Sequence, residues 1–299
     1  MDRTIGIIGL GIMGTAMSAN LIKAGFQVIG YDILAERIKA LEANGGSGKK
    51  SCREIAEQAD VVITSLPSMD ALKEVVHAKN GLLTVKSHGL PVIETSTLTL
   101  DAKQEAWEAL KSVGIDLLDC PISGTGAQAA VKDIVLYASG TQESCNHCMP
   151  VFDELSRKTY YLGEFGMGTK MKLIANLLVT IHNVSAAEAF VLGMKAGLDP
   201  QQIYEAISDG AGSSRMFEVR GPLMVEGKYD EPTMKMGLHQ KDINIISDFA
   251  KAFQCPTPLL SASAQIYTAG LAKGMAKLDT GAVCAVLEEM AGFKRDENK

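Results

Sequence analysis

Thr4-Ile5-Gly6-Ile7-Ile8-Gly9-Leu10-Gly11-Ile12-Met13-Gly14 runs from a β-branched apolar segment straight into three spaced glycines. Apolar residues over Thr4 to Ile8 predict a buried strand, and the helix formers of Ala16 to Ala24, stopped by Gly25, predict the helix that follows. A bare Gly-x-Gly-x-x-Gly is common in turns. Between a strand and a helix it has the context of a dinucleotide fingerprint: Gly9 for the tight turn, Gly11 for close backbone approach to a pyrophosphate, Gly14 for helix-on-strand packing. The amides at the helix start then face the anion, and Gly9, Leu10, Gly11, Ile12, Met13 and Gly14 form the predicted cofactor turn.

Working outward, further strands are expected at Gln27 to Tyr31, Val61 to Thr64, Pro91 to Glu94, Asp116 to Asp119, Ile134 to Ala138 and Thr159 to Leu162. Alternation of such strands with helical segments predicts a parallel sheet covered on both faces. After Gly168 the pattern changes to one long helical stretch, Thr169 to Ala196, followed by further helices to about Met290 and no convincing strand. The fold class is therefore α/β: an N-terminal Rossmann-type doubly wound sheet over 1–164, then a long interdomain helix and an all-α C-terminal domain over 165–299. No internal repeat or low-complexity tract interrupts this division.

Composition excludes several function classes. The 299 residues carry a net charge of −6, which opposes a polyanionic partner, so no nucleic acid is expected. The strand pattern begins at Thr4, leaving no room for a leader, and no uninterrupted apolar run has the length of a membrane span. A cytoplasmic setting with free thiols follows for the six scattered cysteines. Cys145 and Cys148 form a Cys-x-x-Cys pair, but no second pair stands at zinc-site spacing, and no metal is expected.

Asp32 closes the second strand about 20 residues past the fingerprint, with Tyr31 beside it, where a carboxylate accepts from both adenosine ribose hydroxyls. That favours NAD. A 2′-phosphate would meet like charge, with Arg37 as the one nearby cation to accommodate it. The alternative reading of Asp32 is a cap for the next helix. Lys172 and Asn176 leave one face of the long helix at i, i+4. A lysine in a partly desolvated cleft loses some preference for its charged form and can exchange a proton with a substrate hydroxyl; such a pair is also common as a solvated surface. The segment Asp119 to Gly126 ends a strand at the carboxyl edge of the sheet, where Ser123 and exposed amides suit a carboxylate, or where the chain simply turns.

Taken together, four ordered blocks resemble the β-hydroxyacid dehydrogenase family, which contains 3-hydroxyisobutyrate dehydrogenase and tartronate semialdehyde reductase. The blocks are Gly9 to Gly14, Asp119 to Ala129, Gly166-Met167-Gly168-Thr169-Lys170-Met171-Lys172 continuing to Asn176, and Lys241-Asp242. The resemblance implies that Lys172, rather than Lys170, is the catalytic acid/base and that Asn176 supports it. It implies substrate binding by Ser123, Gly124, Thr125 and Lys172 in a cleft between the domains. It also implies cofactor contacts from Leu66, Pro67, Thr97 and Lys241, and assembly as a homodimer or homotetramer.

Two departures bear on the substrate. Thr125 stands where many members have Gly, so its side chain intrudes on the substrate site or the backbone differs; Ala175 replaces a second Asn. Arg215, in Gly212-Ser213-Ser214-Arg215, is either a partner for a second polar end of the substrate or a surface residue. The expected activity is hydride transfer between NAD, rather than NADP, and a small 3-hydroxy acid or its aldehyde acid. The rivals are a reductase of four-carbon sugar acids or imines, and a non-catalytic dinucleotide-binding module; retention of Lys172 and Asn176 opposes the latter.

Overall fold

The computed structural model describes residues 3–87 and 89–295, which form two compact units, Met1–Lys172 and Leu173–Lys299. The division falls inside one helix, whereas the boundary read from sequence stands at 164/165, just ahead of that helix. A helix shared by two units has no break in its pattern to mark the boundary.

In the first unit, strands β1 (Thr4–Ile8), β2 (Gln27–Tyr31), β3 (Ser47–Gly48), β4 (Val61–Thr64), β5 (Leu90–Glu94) and β6 (Ile115–Asp119) form a parallel sheet in the order β3-β2-β1-β4-β5-β6. Strands β7 (Ile122–Ser123), β8 (Val135–Ala138) and β9 (Lys158–Tyr161) form a second sheet, with β7 antiparallel and β9 parallel to β8. The two-residue strands β3 and β7 escape sequence reading because two residues carry no periodicity. The sheet is doubly wound because alternate residues go to opposite faces. Ile5, Ile7, Val61, Ile63, Ile93 and Leu118 join one core cluster, and Ile8, Val62, Val92 and Leu117 the other.

The helices of this unit are α1 (Ile12–Lys23), α2 (Ala35–Ala43), α3 (Cys52–Gln58), α4 (Met69–His77), α5 (Leu100–Lys111), α6 (Gly126–Ala130) and α7 (Gln142–Leu155). Ser51, Ser68, Thr99, Thr125 and Thr141 cap α3 to α7 by accepting a first-turn amide. Cys145 and Cys148 lie buried on α7 as free thiols, pushed up by burial to about 11 and about 12 respectively, so both are protonated and unreactive at neutral pH. Among the described residues no group of three or more His, Cys, Asp or Glu is arranged to hold a metal ion.

Helix α8 (Met167–Lys195) carries the chain from the first unit into the second. By length and composition it is apolar enough to cross a membrane, a property hidden from a search for uninterrupted apolar runs because Lys172, Asn176 and His182 break the sequence. Core helices pass the same test, and in the second unit its buried Thr180 and Asn183 hydrogen-bond to His239 and Tyr267. Helices α9 (Pro200–Ser208), α10 (Arg215–Glu226), α11 (Met236–Ala252), α12 (Pro258–Ala272) and α13 (Val283–Met290) complete this all-helical unit around Phe190, Phe217, Met224 and Tyr267. Asp279 fastens its loops. One oxygen pairs with Arg220 at 2.9 Å and accepts from Gly281 N–H, and the other accepts from the amides of Thr233 and Met234.

The first unit is pinned by a fully buried ion triad. The Lys103 ammonium, on α5, lies 2.6 Å from Glu94 at the end of β5 and 2.7 Å from Asp119 at the end of β6, and none of the three is accessible to solvent. Burial alone lowers a lysine's affinity for its proton, but the two carboxylates outweigh it and hold Lys103 above the ordinary lysine value. Removing one member of such a cluster leaves uncompensated buried charge. Lys103→Met is therefore expected to lower stability by about 3–5 kcal/mol. Urea unfolding followed by Trp107, the single tryptophan, on α5, checks this. Glu94→Gln combined with Lys103→Met should cost less than the sum of the two single changes, and additive losses would contradict the coupling.

Candidate active site

The last residues of the parallel strands stand side by side: Tyr31, Ile8, Thr64, Glu94 and Asp119 are in register from β2 to β6. The ladder continues one residue further, with Gly9 N–H donating to Tyr31, Ser65 to Ile8, Thr95 to Thr64 and Cys120 to Glu94. This register brings the turns holding Gly9–Gly14, Asp32, Leu66-Pro67, Thr97 and Ser123–Thr125 to one carboxyl edge. The strand order reverses between β1 and β4, the place where open α/β sheets open a crevice for a ligand.

The glycine turn has the geometry its spacing predicts. Gly9 has φ +92°, and a Cβ there would sit 2.2 Å from the Ser65 carbonyl oxygen. A Cβ on Gly14 would meet the Gly9 carbonyl at 2.0 Å, so the start of α1 presses against the turn. Gly11 differs: a Cβ there would find only an Arg37 nitrogen, at 3.9 Å. Gly11 is also the residue preceding α1 and brings no side-chain cap, so the first-turn amides face space that a side chain would otherwise fill. A dinucleotide's pyrophosphate fits this cradle of bare amides and missing Cβ.

Asp32 braces that turn. Its Oδ2 accepts from Leu10 N–H at 2.7 Å and pairs with Arg37 at 3.2 Å, and its Oδ1 accepts from Leu34 N–H at 2.9 Å. It does not cap α2, which begins after Leu34. Pro67 is exposed and Thr97 half-buried; Leu66 N–H donates to Ser96 Oγ, tying the turn after β4 to that after β5.

The Ser123–Thr125 loop is set by glycine and by a cap. Gly124 has φ +144°, and a Cβ there would strike Ile134 at 2.5 Å. Thr125 uses its side-chain oxygen locally. It opens α6 in a capping box with Gln128, whose side chain accepts from Thr125 N–H while Thr125 Oγ1 accepts from Gln128 N–H. The loop also leans on the glycine turn. A Cβ on Gly126 would lie 2.1 Å from Ile12, and Asn20 on α1 donates to the Ala129 carbonyl.

Lys172 stands in the second turn of α8 and is buried, 8% exposed. Three residues earlier, Thr169 is fixed to Asp119 by N–H and hydroxyl bonds of 2.6 and 2.8 Å. In the second unit, Asn176 donates to Asp242 Oδ2 at 3.0 Å and Lys241 lies 3.4 Å from Asp242 Oδ1. Thr180 Oγ1 lies 2.9 Å from both the Asn176 backbone carbonyl and His239 Nε2, joining α8 to α11. Arg215 opens α10 and pairs with Glu218 at 3.2 Å.

Sequence reasoning missed Glu94, Lys103, Ser139, Thr169, Thr180 and His239. A carboxylate closing an otherwise apolar strand, as in Leu90-Pro91-Val92-Ile93-Glu94, is a signal that was available. A lysine on an amphipathic helix reads as surface, so nothing local marks Lys103.

The chain matches two family models: the NAD binding domain of 6-phosphogluconate dehydrogenase over 4–163, and the NAD-binding of NADP-dependent 3-hydroxyisobutyrate dehydrogenase over 166–287. It is 32% identical to an L-threonate dehydrogenase of Cupriavidus necator over 96% of both chains. It is 30% identical to a 2-(hydroxymethyl)glutarate dehydrogenase of Eubacterium barkeri, again over 96% of both. A crystal structure of a 3-hydroxyisobutyrate dehydrogenase from Salmonella typhimurium superposes with a TM-score of 0.86 at 30% identity, covering 95% of this chain and 100% of that one.

The cradle separates two kinds of glycine. Gly11→Ala is expected to fold with an unchanged melting temperature yet bind NAD at least about tenfold more weakly by calorimetry, since its Cβ occupies only ligand space. Gly14→Ala should lower the melting temperature by several degrees before any ligand is added. Equal NAD affinity in wild type and Gly11→Ala would remove the pyrophosphate from this turn.

Proposed function

The chain belongs to the β-hydroxyacid dehydrogenase family, and from that premise we propose that it interconverts a small 3-hydroxy acid and its semialdehyde with NAD, using Lys172 as general acid/base. The observation that carries this reading is the joining, within one unit, of the glycine cradle, the Ser123-Gly124 loop and a buried lysine whose helix is fastened to the strand leading into that loop.

The bound nicotinamide supplies the hydride acceptor in oxidation and the donor in reduction. Lys172, as the neutral amine, takes the substrate hydroxyl proton during oxidation and returns it from the ammonium during reduction. Ser123 Oγ–H and the Gly124 N–H bind the substrate carboxylate, a contribution by orientation rather than covalent chemistry. Asn176 presents its amide in a defined direction, because its Nδ2 is committed to the acceptor-only Asp242 carboxylate and its Oδ1 therefore points the other way. Leu66, Pro67 and Thr97 line the cofactor crevice in this reading, and Lys241 serves its nicotinamide end.

Preference for NAD rests on Asp32, whose carboxylate repels a 2′-phosphate, and whose pairing with Arg37 draws away the nearest cation. Assembly as a homodimer or homotetramer belongs to the same proposal; exposed Met171, Ile174 and Leu178 on α8 support an apolar subunit contact. The 32% identity to an L-threonate dehydrogenase favours a second substrate reading, a four-carbon sugar acid.

A panel of 3-hydroxyisobutyrate, L-threonate and 2-(hydroxymethyl)glutarate with NAD or NADP, and of tartronate semialdehyde with NADH or NADPH, followed by absorbance of the reduced dinucleotide, is expected to give turnover with one or more of these and a higher kcat/KM with the non-phosphorylated dinucleotide. Lys172→Met should lower kcat by about 10²–10⁴ with the NAD Kd within about twofold. Near-normal turnover in that variant would strip Lys172 of its role, and higher kcat/KM with NADP would reverse the cofactor assignment.

A further inference from the structure

Helix α8 borrows its N-terminal cap from distant chain segments. The residue before Met167 is Gly166, which has no side chain to offer. Ser139 Oγ instead accepts from Gly168 N–H at 2.9 Å, and Asp119 accepts from the Thr169 amide and hydroxyl. The approach is close enough that a Cβ on Gly168 would lie 2.3 Å from the Tyr137 carbonyl and 2.5 Å from the Asp119 carbonyl. This accounts for Gly168 in a block whose evident feature is Lys172.

The charges around that cap do not cancel among themselves. Glu94 and Asp119 set two carboxyl groups against the one Lys103 ammonium, all three without solvent access. The amides at the start of a 29-residue helix supply the compensating positive potential. Asp119 is therefore held from two sides, by an ammonium on α5 and by the start of α8. It is also the last residue of β6, four positions before Ser123.

We propose that Asp119, clamped by Lys103 and Glu94, is a positioning residue that sets the Lys172 side chain against the Ser123-Gly124 loop by fixing the first turn of α8. The proposal rests on the reading of Lys172 as the acid/base. It distinguishes the triad from a simple stabilising cluster, because one carboxylate holds both the base of the substrate loop and the helix turn preceding Lys172. A shift in that turn moves Lys172 relative to the loop while leaving the glycine cradle in place, since the cradle's contacts to Asp32, Ser65, Arg37 and Gly126 all lie outside α8.

Thr169→Val tests this with little disturbance: it keeps the side chain's shape and the amide bond to Asp119 and removes only the hydroxyl donor. In the full-length protein, kcat for the best substrate of the panel is expected to fall about tenfold, with KM and NAD Kd near wild type and a melting temperature lowered by a few degrees through the lost bond to a buried carboxylate. Thr169→Ser, which keeps the hydroxyl, should restore kcat. Independently of turnover, the rate of Lys172 acylation by acetic anhydride across pH, read by mass spectrometry, should change at least threefold in Thr169→Val and not in Thr169→Ser.

Unchanged kcat or acylation in Thr169→Val would overturn the proposal, as would a loss of activity that parallels a loss of NAD affinity. A wild type that turns over no member of the panel with either dinucleotide would sink the functional reading, and with it the catalytic meaning of this geometry. The acylation comparison would still report whether Asp119 governs the placement of Lys172.

Discussion

The Asp119 carboxylate is the point on which the architecture of the first unit turns. It ends β6, pairs with Lys103 on α5 and receives the first-turn amide and hydroxyl of α8, so a strand, a covering helix and the outgoing helix meet at one side chain. Every group there is shielded from water, where an electrostatic contact is strong when satisfied and costly when broken. Such a junction is intolerant of small displacements.

The same logic runs along the sheet edge. In-register strand ends deliver the glycine turn, the turns after β4 and β5, and the Ser123–Thr125 loop to one line. Short contacts then fix their spacing: Leu10 to Asp32, Leu66 to Ser96, and Ile12 against Gly126. A nicotinamide dinucleotide thus meets a surface already ordered by backbone pairing. The first turn of α8 is ordered by a separate device, the borrowed helix cap. The second unit has an ordered polar cluster of its own, in which Asn176 is bonded to Asp242 and Thr180 to His239.

Thr125 and the Asp119 triad show two ways in which residue identity and residue role part company. Threonine in place of glycine reads as an intrusion into a substrate site or a change of backbone, and the role that the structure gives its hydroxyl is a capping box with Gln128, three residues on, a pattern that was legible in Thr125-Gly126-Ala127-Gln128. Lys103 reads as a surface lysine on an amphipathic helix, yet it is inaccessible. The first case is local and recoverable from spacing. The second depends on two strand ends that approach α5 only after the sheet has formed.

What the amino-acid order determines here is whatever repeats or neighbours along the chain. The strand runs, the Gly9–Gly14 turn between β1 and α1, Asp32 at the end of β2 and the change to helix after Gly168 all follow from side-chain period and local backbone requirement. Tertiary structure alone decided the joining of Glu94, Lys103, Ser139, Thr169 and Asp119, and the division of the chain within α8 rather than ahead of it. The physical reason is that ionic and capping contacts form between atoms close in space with sequence separations of up to 50 residues, and no periodicity or propensity encodes such pairings.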